Sequence, residues 1–152
     1  MPDHHLGGCA CGAVRYRTTG TPEKAAVCHC RYCQLRTGSA FGVSVYFRDA
    51  AIEVLAGTLK AYSFQTESGR AFTQHFCPDC GTTVFWNPEV FPGLTGIAGG
   101  TFDPPSFWYD IRREVFTRSR AGFVALTGMT ESSATSSSHA PVIVEKPALT
   151  GG

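Results

Sequence analysis

The chain has 152 residues, 16% of them charged, with 17 glycines and a formal net charge of +1, so it is leaner in charge and richer in glycine than the ~25% and ~7% of an average domain. That balance, with no Lys/Arg run, argues against a dedicated nucleic-acid or membrane-surface binder, and no apolar run approaches the ~18 residues of a membrane span. One domain is expected over residues 1–128, with the Ser-containing and then aperiodic stretch 129–152 as a flexible tail. The opening Met1-Pro2-Asp3-His4-His5 lacks the charged-then-apolar pattern of a signal peptide, which predicts a cytoplasmic protein. In a reducing compartment clustered cysteines are more often metal ligands or catalytic groups than disulfides, and an odd number, seven, cannot pair off.

Cys9-Ala10-Cys11 precedes residues 13–17, whose period-two alternation predicts a half-buried strand. Thr19-Gly20-Thr21-Pro22 signals a turn, and Ala25-Ala26-Val27 runs into Cys28-His29-Cys30-Arg31-Tyr32-Cys33. Residues 31–39 can form one or two helical turns closed by Gly38, making Cys30 and Cys33 neighbours at i, i+3. Val43, Val45 and Phe47 alternate with Ser44 and Tyr46, as in a strand packed on one side. Residues 52–55 and 59–64 predict a hairpin about Ala56-Gly57-Thr58. Residues 65–70 are a polar loop, and residues 71–76 deliver Cys77. Pro78, Asp79 and Gly81 shape the tight Cys77–Cys80 turn, and residues 82–86 return as the partner strand, a zinc-knuckle hairpin. Further strands are expected at 94–98 and 112–118. The sum is a mainly β protein, short antiparallel sheets carrying zinc-knuckle hairpins and at most one short helix.

Structural zinc takes four ligands in a tetrahedron, commonly two closely spaced thiolate pairs, and Cys9 with Cys11 and Cys77 with Cys80 supply them. Cys28, Cys30 and Cys33 remain, three ligands without a fourth. Three protein ligands and an open position are the arrangement of catalytic zinc. His29, on the opposite side of an extended backbone, is left beside that site rather than in it. Two alternatives stay open: one zinc site plus three ordinary thiols, and a redox Cys30-x-x-Cys33 pair, although the strand-helix context of the latter is lacking. His4, His5, His75 and His139 read as surface or structural histidines. Phe72, Phe76, Phe85, Trp86, Phe91, Phe107 and Trp108 read as core or pocket walls.

Gly7-Gly8-Cys9-Ala10-Cys11-Gly12-Ala13-Val14-Arg15-Tyr16, the central Cys28-His29-Cys30-Arg31-Tyr32-Cys33 with Gly38-Ser39-Ala40-Phe41, and Phe76-Cys77-Pro78-Asp79-Cys80-Gly81-Thr82 closely resemble the glutathione-dependent formaldehyde-activating family, whose domain is shared with centromere protein V. The turn Ala98-Gly99-Gly100-Thr101-Phe102-Asp103-Pro104 is similar to the family's as well. The resemblance implies an all-β fold with a structural zinc on Cys9, Cys11, Cys77 and Cys80 and a second, more labile zinc on Cys28, Cys30 and Cys33. It implies a carbon–sulfur lyase resembling S-(hydroxymethyl)glutathione synthase, which joins glutathione or a similar thiol to formaldehyde or a related small aldehyde. Gln34 departs from the basic residue common after the third central cysteine, and Phe123 stands where a tryptophan is expected.

A zinc-bound thiol is deprotonated outright, so the open position at Cys28, Cys30 and Cys33 is suited to hold a substrate thiolate or to polarise an aldehyde oxygen. Three thiolates on one zinc ion leave a charge of −1. Arg31 and Arg36 are the nearest cations in sequence, candidates for charge balance or for a glutathione carboxylate. The competing reading is a non-catalytic zinc module that binds a protein or a small thiol. A nucleic-acid-binding zinc ribbon is disfavoured by the near-neutral charge.

Overall fold

The structure, a computed structural model, describes residues 3–142. In chain order the strands are β1 (His4–Gly8), β2 (Arg15–Thr19), β3 (Lys24–Cys28), β4 (Gly42–Arg48), β5 (Ile52–Ala56), β6 (Lys60–Gln65), β7 (Ala71–Phe76), β8 (Thr83–Pro88), β9 (Leu94–Ala98), β10 (Arg113–Val115) and β11 (Glu131–Ser132). Among the described residues one α-helix, α1 (Arg31–Thr37), stands between β3 and β4. The protein is mainly β, as expected.

The strands form two sheets, a three-stranded one in the order β1-β2-β5 and an eight-stranded one in the order β11-β10-β3-β4-β9-β8-β7-β6. All pairings are antiparallel except β3 with β10 and β10 with β11. The expected hairpin about Ala56-Gly57-Thr58 does not form. β5 pairs with β2 in the small sheet, and β6 pairs with β7 in the large one. Gly57 is where the chain changes sheets, at φ 86°, and a Cβ there would collide with the Ala13 carbonyl oxygen. Arg15 and Asp103 form a two-pronged ion pair, and Gly7 bridges to Phe102, so the small sheet is also tied to the turn after β9.

The core lies between the small sheet and one face of the large one. Tyr16 on β2, Val45 and Phe47 on β4 and Ile97 on β9 have no exposed surface. Tyr16 meets Phe85 and Phe102 edge-on, and its hydroxyl bonds Thr101 Oγ1 at 2.8 Å. Burying a side chain such as Phe47 contributes about 2 kcal/mol. On β4 the alternate residues Ser44 and Tyr46 point to the opposite face, where Ser44 is also buried. β4 is therefore covered on both faces, not on one: the core packs on one, and on the other Trp86 and Phe91 pack against Tyr46.

Helix α1 begins and ends where its residues dictate. Cys30 is the N-cap, its sulfur accepting the Cys33 N–H, and Gly38 closes the helix in the left-handed conformation at φ 64°, donating its N–H to the Gln34 carbonyl. Of the stretch 129–152 expected as a tail, residues 143–152 lie outside the described residues. Within 129–142, β11 pairs with β10, joining Arg113 to Glu131 and Glu114 to Ser132.

Candidate functional site

Two tight turns bring the first four cysteines together. Cys9 and Cys11 lie on the turn between β1 and β2, and Cys77 and Cys80 on the turn between β7 and β8, so the cluster joins the two sheets. Each turn closes on a glycine at positive φ, Gly12 at 80° and Gly81 at 77°, whose N–H returns to the carbonyl of the turn's first cysteine. The Ala10 N–H donates across to Thr82 Oγ1 at 3.1 Å. The four sulfurs lie within 4.8 Å of one another, with Cys9 to Cys11 at 3.6 Å and Cys11 to Cys77 at 3.8 Å. Zinc–sulfur bonds of ~2.3 Å in a tetrahedron place sulfurs about 3.8 Å apart, so the donor set fits that ion. The Val14 N–H donates to Cys9 Sγ at 3.2 Å. The hydroxyl and N–H of Thr82 lead the contacts that pull the Cys80 thiol down to about 5, which favours its thiolate at neutral pH.

The other three cysteines converge from the end of β3, the N-cap of α1 and the helix itself, and their sulfurs also lie within 4.8 Å of one another. The Cys28 and Cys30 thiols hydrogen-bond to Cys33, and Arg36 lies beside it, which together hold the Cys33 thiol well below its ordinary pKa despite burial. The hydrogen bond to Cys30 first, then that to Cys33 and burial, push the Cys28 thiol well up. All seven cysteines are free of disulfides, and both clusters have the donors and spacing to hold a metal ion.

Cys28, Cys30 and Cys33 line one end of a cavity of about 400 Å³ on the face of the large sheet opposite the core. Its walls include Tyr46 of β4, Phe64 of β6, Phe72 and Gln74 of β7 and Trp86 of β8, together with residues of the segment 133–139. The Trp86 indole N–H donates to Tyr46 Oη at 3.1 Å, and the Arg36 guanidinium lies 3.8 Å from the centre of the Trp86 ring. Arg36 Nη1 also points to Cys33 Sγ at 3.7 Å, while its Nε and Nη2 are buried without a partner among the described residues. Burial raises the Tyr46 phenol above its ordinary pKa, so it keeps its proton.

Arg36 thus stands between the triad and the aromatic wall. Arg31 opens α1 and lines a small depression that adjoins the cavity, sharing Cys30, Tyr32, Glu67 and Phe116 with it. His29 is fully buried on the far side of the triad's backbone, where its Nε2–H donates to Glu114. Gln34 binds the loop ends, donating to the carbonyls of His29, Ala40 and Ser119 at 3.2–3.3 Å.

The sequence does not single out Glu114, Tyr46 or Arg70, and His139, which reads there as a surface or structural histidine, lines the cavity together with Tyr46 and Arg70. Tyr46 had a signal, since its period-two partner Ser44 marks a second face. Glu114 sits in a three-residue strand, and nothing local marks its buried partner. Phe123, at 86% exposure, takes no part in the core. Phe85 and Trp86 are buried and Phe107 is exposed. Among the described residues no helix is long and apolar enough to cross a membrane.

A family model described as glutathione-dependent formaldehyde-activating enzyme matches residues 4–119. Among solved structures, the crystal structure of a Rhodobacter sphaeroides protein is similar at 22% identity with a TM-score of 0.53, covering 70% of this chain and 97% of that one. At that identity the likeness carries the fold. The matched stretch holds both cysteine clusters and stops short of β11.

Proposed function

We propose, since the chain belongs to the glutathione-dependent formaldehyde-activating enzyme family, that it joins a thiol, glutathione or a close analogue, to formaldehyde or a related small aldehyde at Cys28, Cys30 and Cys33. Cys9, Cys11, Cys77 and Cys80 then hold a structural zinc, and the triad holds a second one. The observation that carries this reading is the contrast between the two clusters: four sulfurs close one, while the other has three and opens on a cavity of about 400 Å³. The seven unpaired cysteines support a reducing, cytoplasmic setting.

Zinc, when bound, supplies Lewis acidity and keeps a sulfur ligand deprotonated. The chain's own residues do the rest. Arg36 balances the negative charge of the thiolates from beside Cys33. Tyr46 accepts from Trp86 and keeps its own O–H for donation into the cavity. In the reaction a sulfur–carbon bond forms and the carbonyl π pair moves to oxygen. That oxygen takes a proton from Tyr46 Oη, and the proton lost by the thiol returns to Tyr46, so the phenol is restored and the product has the composition of thiol plus aldehyde. The rings of Phe64, Phe72 and Trp86 exclude water and strengthen these electrostatic contacts. The experiment is adduct formation by zinc-loaded wild type and Cys30→Ser. The expected result is loss of the catalysed rate in a folded variant, because the core and the four-cysteine cluster are separate from Cys30. Full turnover by that variant would overturn the assignment.

A further inference from the structure

The cavity has a wall that the family-matched residues do not supply. The match ends at residue 119, yet Ser133, Ser136, Ser137, Ser138 and His139 line the same space as the triad. They belong to a strap that crosses from one side of the large sheet to the other. At one end the Thr117 N–H donates to the Ser133 carbonyl at 3.0 Å and the Ser133 N–H to the Glu114 carbonyl at 3.1 Å. At the other end the Ala140 N–H donates to Ser68 Oγ at 2.9 Å and the Val142 N–H to the Glu67 carbonyl at 2.8 Å. Between them Arg70 Nη1 donates to the Ser138 carbonyl at 2.8 Å, and the His139 ring lies 3.6 Å from Glu67 and edge-on to Phe116.

This wall is polar where the opposite wall is aromatic. Its serines carry hydroxyls, and Arg70 has further N–H groups beyond the one given to Ser138. Four cations line the cavity, Lys24, Arg36, Arg70 and Arg113, against the carboxylates of Glu67 and Glu131, and Arg113 is already paired with Glu131 at 2.8 Å. The balance suits an anion. A volume of about 400 Å³ lies in the ~300–1,000 Å³ range of ligand pockets and far exceeds what a one-carbon aldehyde fills.

We infer that the strap and Arg70 form the recognition wall for the carboxylate-bearing, peptide-like part of the thiol, so that the segment beyond the matched region selects which thiol reaches the triad. This rests on the thiol–aldehyde reading above. The sulfur faces Cys28, Cys30 and Cys33, a carboxylate meets Arg70, and the peptide groups bond the strap's serine hydroxyls. A small neutral thiol uses only the triad end.

The test measures binding rather than turnover. Quenching of tryptophan fluorescence is titrated with glutathione and with 2-mercaptoethanol on the zinc-loaded full chain, in wild type, Arg70→Ala and Arg70→Lys, with zinc content as the control for folding. The expected result is a shift of about tenfold in the ratio of the two dissociation constants, against glutathione, in Arg70→Ala, with partial recovery in Arg70→Lys. An unchanged ratio in a wild type that binds glutathione would overturn the recognition wall and leave the thiol–aldehyde reading standing. A wild type that binds neither thiol would overturn that reading, and the wall with it.

Discussion

His29 Nε2 and Glu114 Oε2 stand 2.9 Å apart, with the histidine fully buried and the glutamate 4% exposed. The pair joins the loop between Cys28 and Cys30 to β10, which lies beside β3 with Val115 opposite Cys28. Arg120 and Ser132 donate to the other carboxylate oxygen at 2.9 and 2.8 Å, so strand β11 completes the same network. Removing the charge from such a network leaves buried donors poorly matched. Glu114→Gln is expected to cost about 2 kcal/mol in denaturant unfolding and to speed loss of metal from the triad, with the four-cysteine site as internal control. Equal metal release from both sites would contradict that role.

The same carboxylate predicts a pH dependence. The Ser132 hydroxyl first, then His29 and Arg120, hold Glu114 below its ordinary pKa despite burial. A depressed folded-state pKa contributes stability that is fully present above the unfolded value of ~4.3 and is lost as pH falls through the lower folded value. The stability difference between wild type and Glu114→Gln is therefore expected to be constant from about pH 5 to 7 and to shrink below about pH 4. Comparing both proteins metal-free removes the effect of acid on metal binding, which the substitution itself is expected to alter. A difference that grows on acidification would contradict the sign.

Much of this was legible locally. Gly38 closes the one helix, Cys77-Pro78-Asp79-Cys80-Gly81 carries its own turn, and the two cysteine sets assemble as their spacing requires. Long-range pairing was less legible. Gly57 reads as a hairpin turn, but its close approach to Ala13 sends β5 and β6 to different sheets. Glu114 is revealed only by the parallel pairing of β10 on β3, and Arg70 and His139 meet the site only through contacts distant in sequence. Period and turn signals describe neighbours along the chain, whereas these residues are neighbours across it.

Gly96 is packed directly under Trp86. A Cβ there would collide with the indole at Nε1, Cε2 and Cδ1. Gly96→Ala is expected to displace the ring, to cost about 1–3 kcal/mol and to loosen the Arg36 stack on Trp86. Thermal unfolding and the tryptophan emission maximum would show both effects. An unshifted emission spectrum would mean that the contact relaxes elsewhere.

Tyr46 tests the proton donor. Tyr46→Phe removes the hydroxyl that accepts from Trp86 and donates to the cavity, while keeping the ring that meets Phe91 edge-on. Turnover is expected to fall about a hundredfold, with the zinc content unchanged. A variant of undiminished turnover would remove Tyr46 from the reaction.

The most direct measurement is zinc per chain together with the rate of glutathione–formaldehyde adduct formation, before and after mild chelation. The expected result is two zinc ions, one of them lost on chelation together with the catalysed rate, and restoration of both on adding zinc back. One tightly held zinc and only the spontaneous rate, or a catalysed rate that survives loss of the second ion, would contradict it.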